Sequence, residues 1–420
     1  MSRKELLDAL DDGFDHSIRD PLWNDIKLDG AFKSLYLEAS VQKLDRIRQN
    51  GPACHIYPGA VHTRLAHSLG VYHTGRLIMK SLVRKDDVHF TVCGIRSFLA
   101  ACLLHDIGHF PYAHSLKELS IREHEELAGE LISTDKSLRE AVRGTGADAG
   151  MVMAIIDKNR PADGECMIYR NILSGALDPD KLDYLNRDAF FAGVPYGLQD
   201  NGYLISSMVL HEGRIAIHRD ALSSLENLLF SKYLMYRNVY WHKGVRSATC
   251  MIKKAILEAL REKEISLDEL YFTDDYEFDL LPRRHPGFEP FRLIGRVADN
   301  QLFVKVFEKA WDGEGRMEKD CGDLFSRLEV EDWLYRSLKV RYKELAPYEV
   351  VIDIQEPVSF ESDTMVIDDK GCEPFTKASR IFGSDVARQF TLSLRTVSVF
   401  TPSYVDGRTV KEILDARYSF

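Results

Sequence analysis

Histidine is concentrated in one segment of this chain. Nine of its 14 histidines lie between His55 and His124, in a part of the sequence that otherwise contains long apolar stretches. Imidazole is a common metal ligand, and its proton equilibrium lies close to neutral pH. Such a cluster therefore points to metal binding, to acid–base chemistry, or to both.

The pair His105-Asp106 directly follows the apolar stretch SFLAACLL. An imidazole and a carboxylate at the end of a buried helix are costly unless they are paired or bound to a metal. Adjacent helical residues point about 100° apart, so both can reach one ion near the helix axis. His67 and Asp180 would complete a set of two histidines and two aspartates. This mixed set suits Mn, Fe, Zn, Ni or Co better than calcium, and the choice among these and Mg stays open.

Three predicted helices have to bring these ligands together. RLAHSLGVYHTGRLIMKSLV has helical periodicity and carries His67. IRSFLAACLLHDIGH is apolar nearly all round, which predicts a buried helix. DPDKLDYLNRDAFF predicts a third helix, begun by Asp178-Pro179, that carries Asp180.

The remaining pattern predicts a mainly α fold. FKSLYLEASVQKLDRIRQ is typical of one helix, CHIYPGA of a short extended piece, and SSMVLHEGRIAIH of a short β-hairpin. Residues 220–262 form a long helical pattern that we expect to bend at Gly244.

The sequence changes character after about residue 270. VEDWLYRSLKVRYKEL predicts an amphipathic helix, whereas VVIDIQ, TMVIDD and FTLSLRTVSVFTP predict strands. We therefore expect a helical core over residues 1–270 and a smaller α+β region over residues 271–420.

The overall composition is that of a globular protein with a core of normal size. Hydrophobic residues make up 45% of the 420 residues and charged residues 29%. A net charge of −10 argues against a general nucleic-acid or anionic-membrane surface, so an anionic substrate would need a local basic pocket. The seven cysteines lack zinc-ribbon or redox spacing, which fits a reducing cytosol. We expect a cytoplasmic protein with neither a signal peptide nor a membrane span.

Four motifs occur in order over roughly residues 18–262: YPGAVHTRLAHSLGVYHTGRL, ACLLHDIGHFPYAHSLKEL, REHEELAGELI and DPDKLDYLNRDAFFAG. Together they resemble the HD-domain superfamily. Within it, the chain is similar to the deoxynucleoside triphosphate triphosphohydrolases, which include the animal restriction factor with a SAM and an HD domain. We expect no SAM domain in this sequence. The resemblance implies a mainly helical HD-domain core, a nucleotide substrate, cleavage of a dNTP to deoxynucleoside and inorganic triphosphate, and a homodimer or homotetramer.

The resemblance also assigns site residues by motif position. His67, His105, Asp106 and Asp180 match the metal ligands, and His114 matches the catalytic histidine that would protonate the leaving 5′-oxygen. A metal in such a site lowers the pKa of a bound water and polarises the α-phosphoryl oxygen. The phosphate contacts would be Arg64, His109, His124, Lys181 and Lys232, the last at a position where the family has an arginine. The sugar contacts would be Gln49, Tyr184, Asp188 and Tyr240.

Two departures from the family pattern are visible. The family's catalytic histidine often has a nearby aspartate partner, but Ser115-Leu116-Lys117 follow His114 here, and Glu125 could substitute. Regulated members carry an RLR-like stretch that binds a nucleotide activator. Here that stretch is Lys43-Leu44-Asp45, and Leu37 stands where an acidic residue is typical, so we do not expect activation by a guanine nucleotide.

Other interpretations stay open at this point. The chain could be another HD phosphohydrolase, such as a nucleotidase, a phosphodiesterase or an alarmone hydrolase. The sequence has HDIGH rather than HDIGK and lacks a GYP motif, which disfavours the cyclic-dinucleotide class. Alternatively, the pocket could bind a nucleotide as a non-catalytic sensor. On spacing alone, Lys181 could be a solvated helix residue, Arg64 a helix cap, and Tyr184 and Tyr240 core residues.

Overall fold

The computed structural model describes residues 2–85, 90–358, 360 and 364–418. This part of the chain is mainly helical, which confirms the predicted fold class. The α-helices are α1 Arg3–Asp11, α2 Gly30–Tyr36, α3 Ala39–Gln42, α4 Arg64–Lys85, α5 Val92–Leu104, α6 His124–Thr134, α7 Lys136–Gly144, α8 Ala149–Ile156, α9 Gly164–Leu173, α10 Pro179–Ala192, α11 Asn201–Ser206, α12 Leu222–Met235, α13 Lys243–Arg261, α14 Asp275–Asp279, α15 Leu281–Arg284, α16 Arg292–Ala298, α17 Arg316–Asp320, α18 Leu324–Lys339, α19 Phe375–Ala378, α20 Ser384–Leu394 and α21 Gly407–Tyr418.

In the described residues the strands form three small sheets. They are β1 His16–Asp20, β2 Asn24–Leu28, β3 Met208–His211, β4 Arg214–His218, β5 Val304–Ala310, β6 Val351–Ile354, β7 Met365–Asp368, β8 Gly371–Pro374 and β9 Thr396–Thr401. The sheet orders are β1-β2, β3-β4-β7-β8 and β5-β9-β6. The predicted hairpin is β3-β4, and β7 joins it by pairing parallel to β4. Strands from both sides of residue 270 therefore share one sheet, and a boundary there stays a prediction.

Helices α4, α5 and α10 form the centre of the fold. Every residue of α5 from Ser97 to Leu104 is buried, as the continuous apolar sequence predicts. Burying each large apolar side chain stabilises the fold by about 1.5–3 kcal/mol. The Thr91 hydroxyl accepts a hydrogen bond from Gly94 N and so begins α5, while Asp178 accepts one from Lys181 N and begins α10. The start of α10, where the predicted ligand Asp180 lies, is therefore fixed by its cap.

Two predicted long helices are interrupted. Residues 32–49 form α2, α3 and a 3₁₀ turn at Lys43–Arg46 instead of one helix, and the Gln42 side chain donates to Tyr36 O at the break. The 220–262 stretch was expected to bend at Gly244. Helix α12 continues into a π-helical turn, Tyr236–Tyr240, and the helix is interrupted at Trp241 and His242, just before α13. There, His242 Nδ1 accepts from Gly244 N and caps α13. Side chains that bond to the backbone offer an alternative to the helix, which periodicity alone does not reveal.

Two shorter predictions were wrong. In the CHIYPGA segment, predicted as extended, Cys54 and His55 end a 3₁₀ helix, Gly51–His55, and the residues after them form turns. Residues 390–394, predicted as part of a strand, form the end of α20, and the strand β9 begins at Thr396. Packing of an amphipathic helix has overridden the strand preference of the sequence FTLSL. In the described ranges we find no helix with the length and apolar character needed to cross a bilayer.

The crossing of α4 and α10 depends on Gly70. A Cβ atom at this position would lie 1.8 Å from Asp183 Oδ1 and 2.6 Å from Arg187 Nη2. Both partners are themselves buried and charged, so neither can move without losing its ion pair. The absence of a side chain at Gly70 lets the two helices approach.

We predict that Gly70→Ala destabilises the protein by at least about 2 kcal/mol, because the added methyl overpacks the crossing. The matched control is Gly295→Ala in α16, where a Cβ would meet no atom within 4 Å. That variant should be neutral or more stable by up to about 1 kcal/mol, since alanine favours helix. Thermal unfolding of both variants measures the difference, and equal stabilities would contradict the close crossing.

Candidate metal centre

The four predicted ligands come together at one point. His67 lies on α4, His105 and Asp106 follow α5, and Asp180 lies in the first turn of α10. His67 Nε2 is 2.9 Å from Asp180 Oδ1, and His105 Nε2 is 3.4 Å from Asp106 Oδ1 and 3.9 Å from Asp180 Oδ1. The candidate ligand atoms of His67, His105 and Asp106 all lie within 4.8 Å of one another. One cation can therefore be reached by all of them.

The protonation of His105 suits a metal ligand. Its Nδ1 lies 2.9 Å from Cys102 O and donates to that carbonyl, so the lone pair is on Nε2. This Nε2 is buried and has no hydrogen-bond partner. A buried acceptor without a partner is costly, and a cation would satisfy it. The donor set therefore fits a divalent metal.

His67 is held between two carboxylates. Its Nδ1 donates to Asp183 Oδ2 at 2.8 Å, while Nε2 faces Asp180. Burial lowers the pKa of His67, but the two carboxylates outweigh it and raise the pKa to about 10. A divalent cation at Nε2 would replace that proton and leave the Nδ1–H bond intact, which is the usual arrangement of a ligating histidine.

Asp106 is ionised and is approached from several sides. Its Oδ2 accepts from Arg64 Nη1 at 2.7 Å, and its Oδ1 lies 3.2 Å from His109 Nε2. Burial raises the pKa of this carboxyl, but His105, His109 and Arg64 hold it well below its usual range. The arginine predicted to bind phosphate thus contacts a predicted metal ligand directly.

Three more histidines form a stacked group beside Asp106. The His109 and His124 rings stack with centroids 3.9 Å apart, and the His114 ring lies 4.9 Å from His109. Burial, reinforced by Arg64, holds the pKa of His109 well below its usual value. Desolvation within the cavity and the Arg64 charge also lower the pKa of His114, although its side chain is exposed. Burial and His109 do the same for His124. A bound polyphosphate would offset the Arg64 charge and raise these pKa values.

The predicted sugar contacts form a second polar group. Tyr240 OH donates to Asp188 Oδ2 at 2.6 Å, and Asp188 Oδ1 lies 2.8 Å from His62 Nε2. Gln49 Oε1 is buried without a hydrogen-bond partner. Tyr184 lines the same space. His62 was not predicted, and the carboxylate that it holds is one of the predicted sugar contacts.

The two predicted phosphate-binding lysines are already engaged. Lys181 Nζ donates to Asp178 Oδ2 at 2.5 Å and to Gly175 O at 2.9 Å. Lys232 is buried, with its Nζ 5.7 Å from the centroid of the Phe360 ring. Both lysines nevertheless reach the surface of the cavity described next.

All fifteen predicted site residues line a single cavity of about 670 Å³. This volume lies within the range of ordinary small-molecule sites. The lining includes these residues: Gln49, Arg64, His67, His105, Asp106, His109, His114, His124, Glu125, Asp180, Lys181, Tyr184, Asp188, Lys232 and Tyr240. The fold thus brings together site residues that are separated by nearly 200 positions in the sequence. The role of each side chain stays a prediction.

The family model of the HD domain matches residues 64–162, and that of the HD associated region matches residues 199–414. The chain belongs to the HD-domain family. It is accordingly a metal-binding phosphohydrolase, and the identity of its metal is open.

Among the relatives of this HD-domain protein is an uncharacterized protein of Methanocaldococcus jannaschii, 27% identical over 92% of this chain and 79% of the relative. An uncharacterized Bacillus subtilis protein is 33% identical over 52% of this chain, and the match spans only about half of that relative, 49%. A Dictyostelium discoideum protein named as a deoxynucleoside triphosphate triphosphohydrolase SAMHD1 homolog is 26% identical over 72% of this chain and 63% of its own length. A crystal structure of a hypothetical Aquifex aeolicus protein shares the fold, with a TM-score of 0.73 at 24% identity, covering 95% of this chain and 99% of that one.

Sequence reasoning missed the support behind the His67 ligand of this HD-domain protein. Asp183 accepts from Arg187 Nε at 2.8 Å, from Arg187 Nη2 at 2.9 Å and from Trp23 Nε1 at 2.6 Å. Arg187 Nη1 also bonds Asp20 Oδ2 at 2.8 Å. The signal was present: aspartate three residues after Asp180 and arginine four residues later lie on one helix face.

The expected partner of His114 is placed elsewhere. Glu125 Oε2 lies 3.1 Å from His124 Nδ1, so the contact that the structure gives this carboxylate is with His124. Burial raises the pKa of Glu125. The 3₁₀ segment Ala113–Leu119, which carries His114, is instead anchored at Glu118.

We predict that His105→Ala and Asp106→Ala abolish bound metal and phosphate-ester hydrolysis while leaving the helical circular dichroism largely intact. Both residues lie at the end of α5, and neither forms part of its apolar face. Metal content by mass spectrometry and turnover measure the effect. His218→Ala, an exposed histidine on β4, is the control and should retain both. Retained turnover in the two site variants would refute the metal centre.

We predict that Asp183→Asn weakens metal affinity by about 10–100-fold, because His67 loses the anionic partner that orients it and raises its basicity. The control, Asp274→Asn, removes the charge of another buried aspartate paired with an arginine, Arg46, outside the cavity. Metal titration with a competing chelator compares the two. If both variants bind metal as the unmodified protein does, Asp183 does not support the ligand.

Proposed function

We propose that this protein hydrolyses deoxynucleoside triphosphates to deoxynucleoside and inorganic triphosphate. The observation that carries the proposal is the composition of one cavity. Four candidate metal ligands lie in it, beside a group of arginine and histidine side chains and a separate polar group around Asp188. The 26% identity to the Dictyostelium protein supports the same substrate class.

The basic group suits a polyphosphate. Arg64 offers a planar fork of donors, of which Nη1 already bonds Asp106 and Nε is buried without a partner. The His109 and His124 rings border the same space. Phosphate charge would favour their protonated forms, in which both ring nitrogens are donors. A triphosphate would thus be neutralised locally within a protein whose net charge is −10.

Cleavage would break the bond between the α-phosphorus and the 5′-oxygen, while water supplies the new oxygen on phosphorus. A divalent metal bound by the four ligands would polarise the α-phosphoryl oxygen and lower the pKa of water. The departing 5′-oxygen needs a proton, and His114 is the candidate donor. Phosphate charge next to Arg64 would raise the pKa of His114 towards the range in which it can carry that proton.

The group around Asp188 suits the sugar. His62 and Tyr240 each bond one oxygen of this carboxylate, which fixes its orientation. A carboxylate oxygen has more than one lone pair and can still accept from a 3′-hydroxyl. Gln49 Oε1, which is buried without a hydrogen-bond partner, is a second acceptor for a sugar hydroxyl.

We also propose that residues 1–270 form the hydrolase core and residues 271–420 a smaller α+β region. The protein would act in the cytoplasm as a homodimer or homotetramer. Light scattering coupled to size-exclusion chromatography tests the oligomeric state, and a monomer would refute that part of the proposal.

We predict that each dNTP, incubated with the protein and Mn²⁺ or Mg²⁺, yields deoxynucleoside and inorganic triphosphate. Phosphorus NMR of the products distinguishes triphosphate from pyrophosphate and monophosphate. The Asp106→Ala variant, prepared in parallel, should yield no product and controls for contaminating phosphatases. Release of pyrophosphate or monophosphate, or turnover of a dNMP or a cyclic nucleotide alone, would contradict the proposal and indicate another HD chemistry.

A further inference from the structure

One aromatic wall of the cavity has no part in the reaction proposed above. Trp241 follows Tyr240 at the end of the π-helical turn, and its side chain lines the cavity. It also borders a smaller neighbouring cavity of about 330 Å³. Trp241 therefore lies between the two cavities.

The position of this indole is fixed by Tyr236. Trp241 N donates to Tyr236 O at 2.9 Å. The Tyr236 ring meets the indole edge-on, with centroids 5.3 Å apart and an interplanar angle of 82°. The backbone bond fixes residue 241, and the edge contact restricts its ring. The indole therefore loses little conformational freedom when it stacks on a ligand.

The 50–53 segment is brought to the same end of the cavity. Ala53 packs with Val245, which lies in the first turn of α13 just after Trp241, and both Ala53 and Val245 border the cavity. A Cβ on Gly244 would lie 2.3 Å from Ile56 Cδ1, so the two segments approach closely. Asn50 also borders the cavity, and its Nδ2 is buried without a hydrogen-bond partner. The cavity lining thus includes an aromatic ring and an unsatisfied amide donor.

The chemistry of a nucleotide fixes the order of its parts along the cavity. With the α-phosphorus at the metal ligands and the sugar at Asp188 and Tyr240, the base has to lie beyond the sugar. Trp241 directly follows Tyr240 in the chain. Every nucleobase has a π-face, so stacking on an indole tolerates all four bases.

We propose that Trp241 is the residue on which the nucleobase of the substrate stacks, with the Asn50 amide donating to an acceptor on the base edge. This inference rests on the proposed function and deepens it: the ligand is a nucleoside polyphosphate, and stacking provides affinity for the base without strong discrimination among bases.

A purely structural role for Trp241 makes different predictions. The indole packs beside a small buried group that includes Val358, Phe360 and Leu394. If packing were its only role, replacing it would lower thermal stability and would affect ligands with and without a base alike. A ligand without a base therefore separates the two roles.

The test compares Trp241→Ala and Trp241→Phe with the unmodified metal-loaded protein. We expect Trp241→Ala to raise KM for all four dNTPs by about tenfold or more, because a base–aromatic contact is lost. The Phe variant should recover most of that loss. The inhibition constant of inorganic tripolyphosphate, which has no base, should change less than twofold in either variant. Trp333→Phe, in the C-terminal core, is the matched control and should leave KM unchanged.

Fluorescence gives a readout that does not need turnover. Nucleotide binding should quench the tryptophan emission of the unmodified protein, and the quenching should disappear in Trp241→Phe but persist in Trp333→Phe. An unchanged KM in Trp241→Ala, or a tripolyphosphate inhibition constant that rises in parallel with KM, would overturn the inference. If no dNTP is hydrolysed but Trp241-dependent quenching persists, the proposed reaction fails and base stacking stands.

Discussion

A buried ion-pair network at the crossing of α4 and α10 is the constraint on which the site depends. Asp183 and Arg187 are fully buried, and their charges are balanced there by each other, by Asp20 and by His67. Removing one member of such a pair typically costs about 3–5 kcal/mol, since the remaining charge is left without a partner. The same carboxylate holds His67, and the same crossing requires a glycine at position 70. The position of the first metal ligand is therefore set by the packing of the core.

The charge of the cavity is a second feature of the site that depends on the burial of its side chains. The protein is acidic overall, yet the cavity concentrates arginine, lysine and histidine side chains around Asp106. Desolvation lowers the pKa values of the stacked His109 and His124 imidazoles, which favours their neutral forms, and Arg64 reinforces this effect. Neutral rings can approach one another and the cationic Arg64 without strong repulsion. A bound anion would therefore balance the positive charge of the cationic side chains that line the cavity.

The sequence predicted the candidate metal ligands of the site more fully than it predicted the residues that hold those ligands in place. His105 and Asp106 were recognisable because polar ligand types at the end of an apolar helix need a reason. Asp183 was not recognised, since its role depends on Arg187 and His67, whose positions only the folded chain defines. The break at Gln42 was missed, and the break at His242 was expected two residues later, at Gly244, because side-chain bonds to the backbone compete with helix periodicity. Local pattern predicts elements, but such competition decides where they end.

The C-terminal region contributes to the site through charge as well as packing. Glu118, in the segment that carries His114, accepts from Arg327 Nη1 and Nη2 at 3.1 and 3.0 Å and from Lys253 Nζ at 2.5 Å. Arg327 lies on α18 and is buried, so this contact cannot be exchanged for water. Residues 356–358 also form part of the cavity wall. Because the half-buried Glu118 carboxylate pairs with the buried Arg327, the position of the His114 segment is tied to that of α18. Residues beyond 270 therefore border the cavity and anchor the segment that carries His114, beside the HD-type motifs that supply the candidate ligands.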